Sequence, residues 1–171
     1  ALMGSAQVVE RLRKEREIFI SQQLAAGKVR LKPYGKEVLT AARQQGLILA
    51  LATSTFRKRG EAFLQALGIA DFFDYVTFGD QVTRMKPDPE IYLTSLAKAG
   101  LRAEEAIAAE DSIAGATAAT KAGLPVVLVP DQSVDSHYTA AEKADLNILL
   151  TGTSLKVLLD YLQKDAEGKE G

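Results

Sequence analysis

The stretch EDSIAGATAATKAG, Glu110–Gly123, decides the fold of this chain. Two adjacent carboxylates, Glu110 and Asp111, follow directly on the apolar run Ala106-Ile107-Ala108-Ala109, and a helix-like pattern of small residues begins behind them. A short apolar run that ends in charge and turns into a helix reads as a buried strand delivering its carboxyl end to a rim, which is where open parallel α/β sheets place their ligands. Adjacent acids repel one another unless a cation or hydrogen bonds compensate them. The stretch therefore asks for a metal ion or a phosphate-handling site at that rim.

The alternation continues in both directions. Residues 6–25 set Val8, Val9, Leu12, Ile18, Phe19 and Leu24 among charges, which predicts an amphipathic helix. LKPYGKEVLTAARQQG, Leu31–Gly46, reads as a turn at Pro33-Tyr34-Gly35 and a helix stopped at Gly46. A strand over 47–52 follows, then polar Thr53-Ser54-Thr55, a helix over roughly 57–67 and a strand over 75–78 that leads to Gly79-Asp80. KPDPEIYLTSLAKAG, Lys86–Gly100, starts a helix with Asp88 as N-cap, Pro89 at the first helical position and Gly100 as its stop. The strand over 106–109, a helix over 112–122, strands over 125–129 and 146–150 and a helix over 154–163 complete the pattern. Uniformly apolar strands alternating with helices predict an α/β, Rossmann-like, three-layer fold, a parallel sheet with helices on both faces. Successive strand ends then share one rim, bringing Thr53 and Ser54, Lys86, and Glu110 with Asp111 toward one another.

Composition narrows the partners. With 21 basic and 22 acidic residues the chain has a formal net charge of −1, so no global field favours nucleic acid or an anionic membrane. The longest apolar run, Leu47 to Ala52, is too short to span a bilayer, and the first residues carry no apolar segment of signal-peptide type. Cysteine is absent, which removes disulfides, thiolate metal sites and cysteine nucleophiles and is compatible with a cytoplasmic protein.

Three stretches in order, LALATST (Leu49–Thr55), RMKPDPEIY (Arg84–Tyr92) and AAEDSIAGATAATKAG (Ala108–Gly123), resemble motifs two, three and four of the haloacid-dehalogenase-like superfamily, in its phosphoglycolate-phosphatase and β-phosphoglucomutase branch. The resemblance spans roughly residues 33–164, with LGIADFFDYVTFGD between motifs two and three. Each motif alone is weak, and their order and spacing make the signal. The resemblance implies that Thr53 hydrogen-bonds the transferring phosphoryl group, with Ser54 and nearby backbone N–H groups beside it. It implies that Lys86 neutralises phosphate and nucleophile, and that Glu110 and Asp111 hold Mg²⁺, with Asp111 the better candidate for direct ligand. A hydroxyl, a lysine and an oxygen-ligated Mg²⁺ suit a transfer that needs positioning and charge stabilisation above all. The expected substrate is a small phosphorylated metabolite.

The family's first motif, an apolar strand ending in Asp-x-Asp whose first aspartate attacks phosphorus, has no counterpart upstream of motif two, because the first aspartate anywhere is Asp71. Glu10, Glu15, Glu17 and Glu37 lie in helix-like stretches without the required strand. The expectation is an α/β core over 33–171 lacking its central motif-one strand, preceded over 1–32 by a remnant of the helical cap. As given, such a chain should not catalyse aspartyl-phosphate chemistry. An incomplete phosphatase, a β-phosphoglucomutase-like mutase, a natural pseudoenzyme and a non-catalytic binding protein all remain open at this point.

Plainer roles compete for the same residues. Thr53-Ser54-Thr55 could cap the following helix, Lys86 could be a solvated loop lysine, and Glu110-Asp111 could serve a helix entry. The basic cluster Arg11, Arg13, Lys14 and Arg16 reads as a solvated helix face rather than a phosphate contact, and the single histidine, His137, as structural. A dehalogenase would not need the acidic pair, and a receiver domain would carry its acids first in the chain rather than last. Substrate identity and oligomeric state are not legible in the sequence.

Overall fold

The computed structural model describes residues 5–131 and 138–168; His137 lies outside them. Helix α1 (Ser5–Ala25) leads through a linker to α2 (Gly35–Gln44), and the α/β core follows: β1 (Ala50–Ala52), α3 (Arg57–Ala66), β2 (Tyr75–Thr77), α4 (Glu90–Ala99), β3 (Ala108–Glu110), α5 (Ile113–Lys121), β4 (Val126–Leu128), α6 (Ala140–Lys143), β5 (Ile148–Thr151) and α7 (Lys156–Gly168). All strand pairing is parallel. It falls into two sheets: β1 pairs with β2, and β3, β4 and β5 pair in that order.

Helices cover both faces. Val126, Val127 and Leu128 are all fully buried. Because neighbouring strand residues point to opposite faces, Val126 and Leu128 pack with α4 and α5 through Ile91, Ala116 and Ala119, whereas Val127 packs with α2 and α7 through Val38, Ala42 and Leu158. A third cluster, Leu64, Ile69 and Phe78, closes the β1–β2 sheet. Gly60 of α3 admits the Phe78 ring there, since a Cβ at that position would stand 2.4 Å from its Cε1.

Among the described residues no ladder joins β1 to β3. A parallel strand uses alternate residues for each neighbour. Thr53 N–H donates to Thr77 of the β2 side, so Ala50 and Ala52 turn their amides the other way. On the other sheet, Ala108 N–H donates to Pro125 and Glu110 C=O accepts from Val129, which leaves the Ala109 backbone facing away from β4. Two unpaired edges thus border one slot. Ile48 and Ile107, from the apolar runs that feed these edges, are correspondingly exposed. The parallel strands thus form two sheets, as expected of a core that lacks its central motif-one strand: the strands over 47–52 and 106–109 share no direct ladder.

Element ends also differ from expectation. Both central strands are shorter than their apolar runs, three residues each, and β3 includes Glu110 rather than ending before it. Helix α4 begins at Glu90 instead of Pro89, yet Asp88 still accepts the Glu90 N–H at 3.0 Å. The helix start expected near Tyr138 is α6, a single turn whose capping box is formed by Thr139 and Glu142. Helix α1 exposes Leu12, Ile18 and Phe19 by more than half. It touches the core through α3, where Glu17 pairs with Arg59 at 2.5 Å. No described helix is long and apolar enough to cross a membrane.

Candidate functional site

The carboxyl ends of β1, β3 and β4 open into a cavity of about 840 Å³ whose lining includes Thr53, Ser54, Lys86, Glu110 and Asp111. The five residues that the resemblance assigns to the site therefore meet, whereas Arg11, Arg13, Lys14 and Arg16 do not line the cavity. The capping alternatives are not what the structure uses: α3 receives its cap from outside, with Arg57 N–H donating to Asp80 Oδ1 at 3.1 Å, and α5 is capped by Ser112, whose Oγ accepts from Gly115 N–H. Thr53 Oγ1 accepts from Thr55 N–H, folding the loop after β1 into a tight turn. That loop lies against Gly79, where a Cβ would stand 2.4 Å from the Ser54 carbonyl oxygen.

Lys86 is not a solvated lysine. Its ammonium donates to Glu110 Oε1 at 2.5 Å, to the Ala52 carbonyl at 3.1 Å and to the Tyr92 hydroxyl at 3.4 Å. The side chains of Lys86 and Glu110 are only 13% and 7% exposed, so this is a buried pair whose charges need every one of those partners. Tyr92 in turn donates its hydroxyl to Glu110 Oε1. Burial first, and then the charge of Glu110 and its hydrogen bond, push the phenol pKa far upward and keep it a donor. The other Glu110 oxygen lies over Gly115, where a Cβ would be 1.9 Å away.

Asp111 faces different surroundings. Its backbone carbonyl accepts from Tyr138 OH, while burial and then the adjacent Glu110 raise the pKa of its carboxyl. A carboxylate disfavoured in this way is one that a bound cation would stabilise. Oxygen donors at a water-accessible cavity fit Mg²⁺, which takes one or two carboxylates and keeps waters. Among the described residues, no cluster of three or more metal-binding side chains forms. Asp111 is the acid open to a cation, and Glu110 is engaged by Lys86 and Tyr92.

Sequence reasoning missed Tyr92 as a site residue, because an aromatic on a helix face reads as core. It also missed Lys32, which lines the mouth of the cavity and pairs with Asp131 at 2.5 Å, and Thr153 and Ser154 behind β5. Nothing in their local patterns marks them.

A family model described as haloacid dehalogenase-like hydrolase matches residues 2–129. The chain belongs to that family. It is 39% identical over 122 residues to protein CbbY of Rhodobacter capsulatus, a match that covers 70% of this chain and 52% of that one. It is 33% identical over 130 residues to the phosphorylated carbohydrates phosphatase of Thermotoga maritima, covering 76% and 60%. The chain thus spans little more than half the length of the curated relatives it matches. Among solved structures, a variant of CbbY from Rhodobacter sphaeroides in complex with xylulose-(1,5)-bisphosphate superposes with a TM-score of 0.73 at 29% identity, covering 86% of this chain and 64% of that one.

Proposed function

We propose that this chain is the larger part of an Mg²⁺-dependent phosphatase that hydrolyses a small phosphorylated sugar through an aspartyl phosphate, the attacking aspartate being carried by a strand seated between β1 and β3. The observation that carries the proposal is the convergence of Thr53, Lys86 and Asp111 on a slot bordered by two unpaired strand edges. The one reactive group such chemistry needs and this rim does not offer is a nucleophile. Asp71 cannot serve, since it lies in the turn over 70–72 before β2, at the amino end of the sheet.

Each residue has a defined task on this account. Thr53 Oγ1 and the N–H groups of its turn hold the phosphoryl oxygens. Lys86, fixed beside the end of β1, offsets charge on the phosphate and on the attacking carboxylate. Asp111 holds Mg²⁺, and Glu110 orients Lys86 and borders the metal position. The metal, when bound, supplies fixed positive charge to the phosphoryl oxygens. Helix α1, with its exposed apolar residues, is what remains of a helical cap over the cavity. The names of the relatives, a phosphatase of phosphorylated carbohydrates and a protein crystallised with a sugar bisphosphate, support the substrate class.

A sugar-phosphate mutase would use the same core, and the choice lies in the cap. A non-catalytic binding protein is the second reading, since the same polar cavity could hold a phosphorylated ligand without turning it over. In a longer chain that includes the strand, Asp111→Asn and Lys86→Met should each lower kcat for a sugar phosphomonoester by roughly 100-fold or more. An unchanged kcat in either variant removes that residue from the site.

A further inference from the structure

Tyr92 has no task in the chemistry above, yet it is buried at the site and hydrogen-bonded to both Glu110 and Lys86. It sits on the first turn of α4, the helix that touches both β1 and β2 and also packs on α5. Its hydroxyl donates to Glu110 Oε1 and accepts from Lys86, and its ring lies 4.9 Å from the Lys86 ammonium. We infer that Tyr92 is a positioning residue: it fixes the carboxylate of Glu110, and through Glu110 it aims Lys86 at the end of β1.

Lysine is a point charge on a flexible stem of four carbons. A site that needs that charge in one place must remove the freedom before substrate arrives. Three elements share the work here. Gly115 lets Glu110 press against α5, which blocks rotation of its carboxylate on one side. The Tyr92 hydroxyl holds the other oxygen, and Lys86 closes a ring of three hydrogen-bonded groups while reaching Ala52 across the slot. The same ring ties the β1–β2 sheet to the β3–β5 sheet, which share no ladder. Without the hydroxyl, the ring beneath the ammonium would persist but Glu110 would keep only Lys86 on that oxygen, and the pair could turn together.

The purpose of an aimed lysine rests on the phosphoryl-transfer reading, but the geometry can be tested without it. Competitive acylation by acetic anhydride, read by mass spectrometry, compares Lys86 with exposed Lys58 and with Lys98, a surface lysine whose ammonium bonds the Val76 carbonyl. In the 171-residue chain Lys86 should label about tenfold more slowly than Lys58, the scale of a hydrogen bond to a charged group. Tyr92→Phe should raise Lys86 labelling several-fold and leave Lys98 unchanged. Glu110→Gln should do the same, and the double variant should exceed neither single, because Tyr92 acts through Glu110. Wild-type labelling of Lys86 in Tyr92→Phe, additive effects in the double variant, or an equal rise at Lys86 and Lys98 would overturn the inference. A longer chain carrying the strand that shows this labelling pattern yet stays inert toward sugar phosphates would count against the function and not against the positioning.

Discussion

At the scale of single residues, a methyl group measures how tightly the site is held. Gly115→Ala gains a little helix propensity in α5, under about 1 kcal/mol. The added Cβ would lie 1.9 Å from Glu110 Oε2, so the carboxylate must leave and the buried pair with Lys86 must open. The second effect should win, and urea unfolding should show a net loss of roughly 1–3 kcal/mol. A variant as stable as the parent would mean that Glu110 is free to move. Thr53, Lys86, Glu110 and Asp111 were legible because each follows a strand pattern at a rim. The resemblance already favours Asp111 over Glu110 as the direct ligand; what remained hidden was that Glu110 is held by Lys86 and Tyr92. Glu110 belongs to β3 and points to Lys86 while Asp111 lies just past the strand, and no one-dimensional pattern carries those contacts.

At the scale of elements, β1 is anchored at its amino end by Asp74, which accepts from Leu49 N–H at 2.8 Å and pairs with Arg43 of α2 at 2.8 Å. The Leu49 hydrogen bond first, and then Arg43, lower the Asp74 pKa from its ordinary 3.8. A carboxyl depressed by folding contributes stability that is present above its unfolded pKa and lost as pH falls through the folded one. Asp74→Asn should therefore lower the Tm by a few degrees at pH 7, and the gap from the parent should close as pH drops below 3.8. A gap independent of pH would assign the loss to something other than charge. Helices were read to within a few residues because propensity, caps and glycine stops are local. The strands were read too long because an apolar run marks burial whereas a ladder sets strand length: β1, β3 and β4 pair over three residues each, fewer than their apolar runs hold.

At the scale of the whole molecule, the chain is a three-layer α/β unit whose sheet is open at its centre. Hydrogen exchange should report this directly. The amides of Ala50, Ala52 and Ala109, which face the slot, should exchange much faster than those of Val126 and Leu128, which lie inside the β3–β5 sheet. Uniform protection across both sets would mean that the slot closes in solution. The central claim is that this rim performs phosphoryl transfer once a strand bearing an aspartate fills that slot. The most direct measurement is Mg²⁺-dependent phosphate release from a small sugar phosphomonoester, compared between the 171-residue chain and a longer chain that adds an apolar strand ending in aspartate. The account predicts turnover by the longer chain, abolished when that aspartate becomes asparagine, and none by the 171-residue chain. Turnover by the 171-residue chain alone, or a folded longer chain inert toward every sugar phosphate tried, would contradict it.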